Sequence, residues 1–260
     1  AAVDTRLEGA PNFRDIGGYA AAGGFVVKHG LVFRSGHLAH LTDGDLDLLH
    51  SLGIKTVIDF RPRYEKEMTG HNRMPDQINY VPIPIGDPAM APEVKRALVD
   101  GDFSFLPDLR DANRTLIRDF SIQLGAALQL IAEPDNLPLV FHCIGGKDRT
   151  GMAAALLLTL LGVPFSTVKD DYMKTNGRLE RDADIDAVID RLAAERNWDS
   201  IPEEGRRALR RFFVLEEEYI EAAWDEIERV AGTFCGYAHR YLGLSDAKIQ
   251  KMRSALLERT

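Results

Sequence analysis

A cysteine and an arginine separated by five residues, Cys143 and Arg149, form the pair in this sequence best suited to covalent chemistry on an anion. A thiolate is a strong nucleophile, and the planar guanidinium of arginine can bind two oxygens of one phosphate group. Between them lie Gly145 and Gly146, which permit backbone angles that other residues avoid, so that successive amide groups can converge on one point. Residues 143–149, called the phosphate loop below, are therefore predicted to bind a phosphate with a nucleophile at its base.

The segments on either side of the phosphate loop are apolar and would hold it in place. Residues 139–141 form a short apolar run typical of a buried strand, and residues 152–161 are rich in Ala and Leu, as expected for a buried helix. A helix that begins at the loop places its positive end at the anion and favours the thiolate form of Cys143. Arg149 and the loop amides from Ile144 onward would hold the charge that develops on the phosphate.

The motif His142-Cys143-x5-Arg149-Thr150 resembles the signature of cysteine-dependent protein tyrosine phosphatases. Its Gly-Lys-Asp-Arg-Thr-Gly ending is similar to a bacterial branch whose members often also accept phosphoserine, phosphothreonine or phosphoinositides. Residues 11–19, Pro-Asn-Phe-Arg-Asp-Ile-Gly-Gly-Tyr, are similar to the N-terminal motif of that branch. The resemblance implies an α/β fold with a central, mostly parallel sheet flanked by helices, and hydrolysis through a phosphocysteine intermediate.

The resemblance also implies roles for the other residues of the motif. Thr150 would donate a hydrogen bond to the cysteine sulfur, although a threonine at the start of a helix can be purely structural. His142 would orient the phosphate loop. Lys147 would face the mouth of the pocket, where the family associates a lysine with phosphoinositide and other highly charged substrates; a solvated lysine is the alternative.

The acid that protonates the leaving group has three candidates. The tryptophan-proline-aspartate loop of the broader tyrosine phosphatases is absent. Asp148 is the first choice because it lies inside the phosphate loop, although neighbouring cations would favour its charged form. Asp59, at the end of a predicted strand, and Asp87, after a Pro-Ile-Gly turn, are the second and third choices.

Two further arginines could extend the basic rim of the pocket. Arg14 belongs to the N-terminal motif, and Arg61 follows the strand that ends at Asp59. Either arginine could instead make a structural ion pair. Together with Ile144, Gly145, Gly146, Lys147 and His142, they are the residues predicted to bind the phosphate.

The order of elements along the chain supports the α/β prediction. Strand and helix patterns alternate up to residue 163, beginning with a hairpin whose Ala-Ala-Ala-Gly-Gly turn precedes residues 25–27 and a helix capped by Thr42 and Asp45. A strand at 78–85, broken by two prolines, suits an edge position or the exit of the strand, and it is followed by a short helical segment near 93–99 and one long helix at 109–132. After residue 162 the pattern is helical, with no further strand signal. We therefore predict one phosphatase domain, 1–260, with a core at 10–163 and a helical extension at 164–260 that could form a lid tipped by Phe212 and Phe213.

Composition excludes several classes of protein. A net charge of −8 and a pI near 5.4 argue against electrostatic binding of nucleic acid, and no apolar run reaches the ~20 residues of a membrane helix. The two cysteines make no disulfide framework, and Cys235, beside Phe234, is predicted to be buried and structural. No second histidine or carboxylate lies at ligand spacing from His142, and neither a metal nor a cofactor is expected.

The substrate is predicted to be a phosphorylated protein, with phosphotyrosine first, or a phosphoinositide or inositol polyphosphate. A rhodanese-like sulfur transferase and a non-catalytic phosphate-binding module are the alternatives from other classes. The compartment, whether cytoplasmic or secreted, and the oligomeric state stay open.

Overall fold

The structure is a computed structural model that describes residues 6–90, 99–179 and 185–260. Its described strands are β1 (Arg14–Asp15), β2 (Ala20–Ala21), β3 (Phe25–Val27), β4 (Val32–Ser35), β5 (Thr56–Asp59), β6 (Asn79–Pro82), β7 (Leu139–His142) and β8 (Leu257–Arg259). Five of them form the central sheet in the order β1-β4-β7-β5-β6. The β4, β7, β5 and β6 strands are parallel, and only β1 runs antiparallel, against β4. The mostly parallel sheet is therefore confirmed, with β6 at an edge as its prolines predict.

Helices flank this sheet. In the described residues they are α1 (Asp43–Ser51), α2 (Arg63–Thr69), α3 (Leu109–Asp119), α4 (Ser121–Ile131), α5 (Arg149–Leu160), α6 (Phe165–Leu179), α7 (Ile185–Arg196), α8 (Glu203–Phe213), α9 (Glu217–Ala231), α10 (Phe234–Arg240) and α11 (Asp246–Leu256). The predicted cap of α1 is confirmed, because Thr42 and Asp45 cap each other's backbone amides. None of the described helices combines the length and apolar character needed to cross a membrane. The short helix suggested near 93–99 falls mostly outside the described residues.

The helix predicted over 109–132 is two helices, and the prediction of one was wrong. The chain breaks at Phe120, whose φ and ψ are −118° and 20°. A continuous helix would use the Ile117 carbonyl to accept the amide of Ser121. The hydroxyl of Tyr237 donates to that carbonyl instead, at 2.8 Å. A residue 120 positions away thus supplies the hydrogen bond that the break removes.

A second, small sheet joins the beginning and the end of the described chain. The predicted hairpin is confirmed as β2 and β3, and β8 adds antiparallel to β3, with Phe25 opposite Arg259. This corrects the prediction that no strand follows residue 162. A strand of three residues is too short to show an alternating pattern, and its pairing partner lies at the far end of the sequence.

The core is built around α5. Every residue of this helix except Thr159 is buried. The apolar cluster around it includes Ile58 and Phe141 of the central sheet and extends to Leu256 in α11. Because α5 begins at the phosphate loop and β7 ends there, this packing fixes the loop at both ends.

Candidate active site

The phosphate loop turns its carbonyl groups away from its centre. The Cys143 carbonyl accepts from His142 Nδ1 at 2.9 Å, and the Ile144 carbonyl accepts from the amide of His37 at 2.8 Å. In a trans peptide the N–H group points opposite to the C=O group. The amides of Ile144 and Gly145 therefore face the side on which an anion would lie.

Gly146 packs against the end of β4, where a side chain would have no room. Its carbonyl accepts from Asn12 Nδ2 at 2.7 Å and from Arg34 Nη2 at 2.8 Å, which turns the next amide, that of Lys147, toward the centre of the loop. Its φ is +67°, and a Cβ there would lie 2.6 Å from the Ser35 carbonyl. Only glycine meets both conditions without strain.

The thiol of Cys143 lies at the base of this loop. Cys143 is 3% exposed, and Thr150 Oγ1 donates to its sulfur at 3.1 Å. A hydroxyl in this position stabilises negative charge on sulfur, both in the attacking thiolate and in a departing one. The structure thus places the Thr150 hydroxyl beside the Cys143 sulfur.

Arg149 is held by a carboxylate that the sequence did not indicate. Its Nη2 and Nη1 atoms donate to Glu65 Oε1 at 2.7 Å and to Oε2 at 3.1 Å, and Nη1 also donates to the Ile85 carbonyl at 2.9 Å. Among the described residues, the buried Nε has no hydrogen-bond partner. The two-point contact with Glu65 fixes the guanidinium plane and leaves Nε available to an anion.

Asp148 lies in the same loop, and one of its carboxyl oxygens has no hydrogen-bond partner among the described residues. Burial raises the pKa of its carboxyl group, Lys147 opposes the rise, and the nearby Asp87 adds to it. Its Oδ1 is buried and, within the described parts of the chain, accepts no hydrogen bond. A carboxyl group whose pKa is raised holds its proton to a higher pH than a free aspartate does, as a proton donor to a leaving group must.

The sequence model described as the Tyrosine phosphatase family matches residues 5–258. This chain belongs to the tyrosine phosphatase family. It is 31% identical over 280 residues to the triple specificity protein phosphatase PtpB of Mycobacterium tuberculosis, with 96% of this chain and 98% of that protein covered. It is 34% identical over 178 residues to a putative tyrosine-protein phosphatase of Cupriavidus necator, with 67% of this chain but only 64% of that protein covered. The enzyme is a cysteine-dependent tyrosine phosphatase.

Among solved structures, the comparison matches this chain to the core catalytic domain of the PP-IP phosphatase SIW14 from S. cerevisiae, in complex with citrate. It is 19% identical, the match covers 75% of this chain and 99% of that one, and the TM-score is 0.38.

In this tyrosine phosphatase, Asp59 and Arg61 lie behind the phosphate loop as an ion pair. Both are fully buried, and Arg61 Nη2 donates to Asp59 Oδ2 at 3.0 Å. Burial acts to raise the pKa of Asp59, but hydrogen bonds from Arg61 and Tyr80 and the charge of Arg61 act against it, and that pKa is lowered. Asp59 therefore stays ionised and is a poor proton donor, which favours the role in loop support that the sequence also allowed.

Arg14 is likewise buried, at 5% exposure, with its Nη2 donating to the Asp171 carbonyl at 2.9 Å. The structure thus brings neither Arg14 nor Arg61 to the pocket rim. Both make the structural ion pairs that the sequence left as the alternative.

His142 is a neutral imidazole in the phosphatase. Burial lowers its pKa to about 4, although Asp59 opposes this. The Cys143 carbonyl can only accept, so Nδ1 carries the proton, and Nε2 accepts from Asn72 Nδ2 at 2.7 Å. Both ring nitrogens are therefore occupied, and the bond from Nδ1 holds the Cys143 carbonyl in place.

Lys147 points at the helical extension. Its Nζ donates to the Phe212 carbonyl at 2.8 Å and lies 5.6 Å from the centre of the Phe212 ring. Phe212 is 8% exposed and packs edge-on against Phe213. The extension therefore reaches the phosphate loop at Phe212, one of the two phenylalanines named from the sequence.

Cys235 is exposed, and the prediction of a buried cysteine was wrong. Its aromatic neighbour Phe234 does turn inward and stacks on Trp224, with ring centres 6.1 Å apart. Successive residues of a helix face different directions, so the packing of Phe234 leaves Cys235 outside. Its sulfur lies 3.9 Å from His239 Nδ1.

Proposed function

We propose that this phosphatase hydrolyses phosphotyrosine in proteins in two steps, with Cys143 as the nucleophile and Asp148 as the proton donor and then acceptor. The observation that carries the proposal is the phosphate loop itself. The Cys143, Ile144 and Gly146 carbonyls accept hydrogen bonds from groups outside the centre of the loop. The Cys143 thiol lies at the base of the loop and accepts a hydrogen bond from Thr150. Such a loop offers an anion fixed amides and a nucleophile at once.

In the first step the thiolate of Cys143 attacks phosphorus. A sulfur–phosphorus bond forms, the bond to the ester oxygen breaks, and Asp148 gives its proton to the departing phenolate. Arg149 Nε and the amides that face inward hold the equatorial oxygens, and Glu65 keeps the guanidinium in plane for this contact.

In the second step water attacks the phosphocysteine. The carboxylate of Asp148, now unprotonated, takes the proton of that water, and the sulfur–phosphorus bond breaks. The hydrogen bond from Thr150 stabilises the thiolate of Cys143 as it leaves. Inorganic phosphate and the starting enzyme result.

The charges of the described residues favour substrates with one phosphate. A polyphosphorylated inositol needs several cations around the mouth, but Arg14 and Arg61 are buried in ion pairs, and Lys147 is bonded to the Phe212 carbonyl. The mycobacterial relative is named as a triple specificity protein phosphatase. We therefore propose activity on phosphotyrosine first, with phosphoserine and phosphothreonine following.

The test is a comparison of kcat/KM for matched phosphotyrosine, phosphoserine and phosphothreonine peptides and for phosphoinositide vesicles, with a chelator present throughout. A ranking led by phosphotyrosine supports the proposal. A ranking led by phosphoinositides would replace it with the lipid alternative.

Replacing Asp148 by Asn should lower kcat about 100-fold on phenyl phosphate, because asparagine cannot give a proton to a poor leaving group. A nitrophenyl ester, whose phenolate leaves unaided, should lose less. Because burial raises the pKa of Asp148, the native rate should fall as pH rises through that pKa, and this basic limb should vanish in Asp148→Asn. Steady-state pH profiles on both esters measure the effect.

The competing variant is Asp87→Asn. Asp87 Oδ2 lies 3.5 Å from Arg149 Nη2, so this carboxylate also borders the site. Loss of the basic limb in Asp87→Asn with its retention in Asp148→Asn would transfer the acid role to Asp87.

We further propose that α7 and α8 form a lid on a single catalytic unit. Arg206 Nη1 and Arg210 Nη2 lie 3.4 and 2.5 Å from Asp186 Oδ1 and join the two helices to each other, while Phe212 contacts the phosphate loop through Lys147. A substrate as large as a protein must displace Phe212 to reach Cys143.

Replacing Phe212 by Ala should therefore raise kcat/KM on a phosphotyrosine peptide, by about tenfold, because fewer apolar contacts hold the lid closed. The cation–π contact with Lys147 is lost as well. Ile122→Ala, an exposed position on α4, serves as the control that should change nothing. An unchanged or lower kcat/KM in Phe212→Ala would contradict the lid.

A further inference from the structure

Three buried charges lie directly behind the phosphate loop. They belong to Arg14 of β1, Arg34 of β4 and Asp171 of α6, each at most 5% exposed. Arg34 Nη1 donates to Asp171 Oδ2 at 3.1 Å, and Arg14 Nε lies 3.7 Å from Asp171 Oδ1. The two arginines are opposite each other in the antiparallel pair of β1 and β4. These three residues are called the Asp171 cluster below.

The Asp171 cluster carries a net positive charge. Burial acts to raise the pKa of Asp171, but Arg34, Arg14 and a hydrogen bond from Tyr19 outweigh it and lower that pKa, so the carboxylate is ionised. Two guanidinium groups and one carboxylate then leave a charge of +1 behind the loop. Buried charges are costly to desolvate, and stability alone seldom explains why a chain keeps them.

The cluster contacts the loop at one carbonyl. Arg34 Nη2 donates to Gly146 O at 2.8 Å across 112 residues of sequence. Asn12 Nδ2 donates to the same oxygen at 2.7 Å, and the Oδ1 of Asn12 accepts from Arg14. One planar guanidinium, that of Arg34, thus bonds Asp171 and Gly146 together.

We infer that Arg34 is a positioning residue for the reaction: it holds the Gly146 carbonyl outward so that the Lys147 amide faces the phosphate, and it places positive charge behind the bound anion. The inference rests on the proposed role of the phosphate loop. It also makes α6, through Asp171, part of the support of the loop. Arg34 touches neither the substrate nor the thiol and acts only through Gly146.

Arg34→Lys is the direct test, because lysine keeps the charge but has no fork that can reach Asp171 and Gly146 together. Phosphate affinity is measured by calorimetry with inorganic phosphate, and kcat and KM with a phosphotyrosine peptide. We expect about tenfold weaker phosphate binding, as for loss of one hydrogen bond from a charged donor, together with a fall in kcat. A purely structural residue would lower the folded fraction and leave the phosphate affinity of the folded protein unchanged.

Tyr237→Phe is the matched control. It also removes a buried donor from a backbone carbonyl, that of Ile117, but far along the chain from the phosphate loop. It should lower thermal stability without changing phosphate affinity or kcat.

Asn12→Asp is the second variant. It tests the same contact with the Gly146 carbonyl and keeps the inference testable if Arg34→Lys does not fold. Aspartate is close to isosteric, tolerates the φ of +60° at this position, and still accepts from Arg14. It loses the donor to Gly146 and cancels the net charge of the cluster, so phosphate binding should weaken by at least about tenfold. Folded variants that bind phosphate as the native protein does would overturn the inference. Failure of the proposed function is separate, since it would appear as absent turnover in a native protein that still binds phosphate.

Discussion

Cys143→Ser should abolish turnover, with a loss of at least about 10⁴-fold in kcat, because an alcohol at this position is neither ionised at neutral pH nor a good leaving group. The phosphate loop is built from backbone amides and Arg149, none of which the substitution alters. Inorganic phosphate should therefore bind to Cys143→Ser about as well as to the native enzyme. Rates on a phosphotyrosine peptide and calorimetry with phosphate measure the two quantities.

Cys235→Ser is the matched control for this result. Cys235 is exposed and lies in α10, whereas Cys143 is buried at the end of β7. Full activity is expected in this control. If Cys143→Ser kept more than a small fraction of the native rate with a chelator present, the phosphocysteine mechanism would be wrong.

Arg149→Lys should lower kcat/KM about 10³-fold, within the range for loss of a cation that stabilises a phosphoryl transition state. Lysine keeps one positive charge but cannot bond Glu65 at two points and still present a donor to the phosphate. Unlike Cys143→Ser, this variant should also bind inorganic phosphate poorly. Steady-state kinetics and phosphate calorimetry together separate the two substitutions.

Arg63→Lys controls for the general effect of exchanging arginine for lysine near the site. Arg63 is exposed, begins α2, and pairs with Glu67 on the surface. It should leave kcat/KM unchanged. A loss of less than about tenfold in Arg149→Lys would show that charge alone, rather than the geometry of the fork, is what the phosphate requires.

The parts of the site that follow from the sequence are those made by neighbours in the chain. The phosphate loop needs a strand, two glycines and a helix within a few positions, and the cap of α1 needs only Thr42 and Asp45. Local geometry determines such features, so residue order is enough to predict them.

The rest of the site depends on contacts between distant residues. Glu65 lies 84 positions from Arg149, and Arg34 lies 112 positions from Gly146. No local pattern distinguishes Glu65 from other glutamates in charged helices. Charged residues such as Arg14 and Arg61 are usually exposed, and only their partners reveal that they are buried. Asn12 is the partial exception, since it belongs to the N-terminal motif.

The burial of α5 should prevent this helix from unfolding locally while the rest of the enzyme stays folded. Arg149 and Thr150 form the first turn of a helix whose remaining residues, apart from Thr159, lie in the apolar core. Local fluctuations expose backbone amides in segments that have few buried contacts. In α5 nearly every residue is buried, so such local opening is opposed along the whole helix. The amides of α5 can then exchange with solvent deuterium only when the whole core opens. Catalytic competence and the folded state should accordingly disappear in a single cooperative transition.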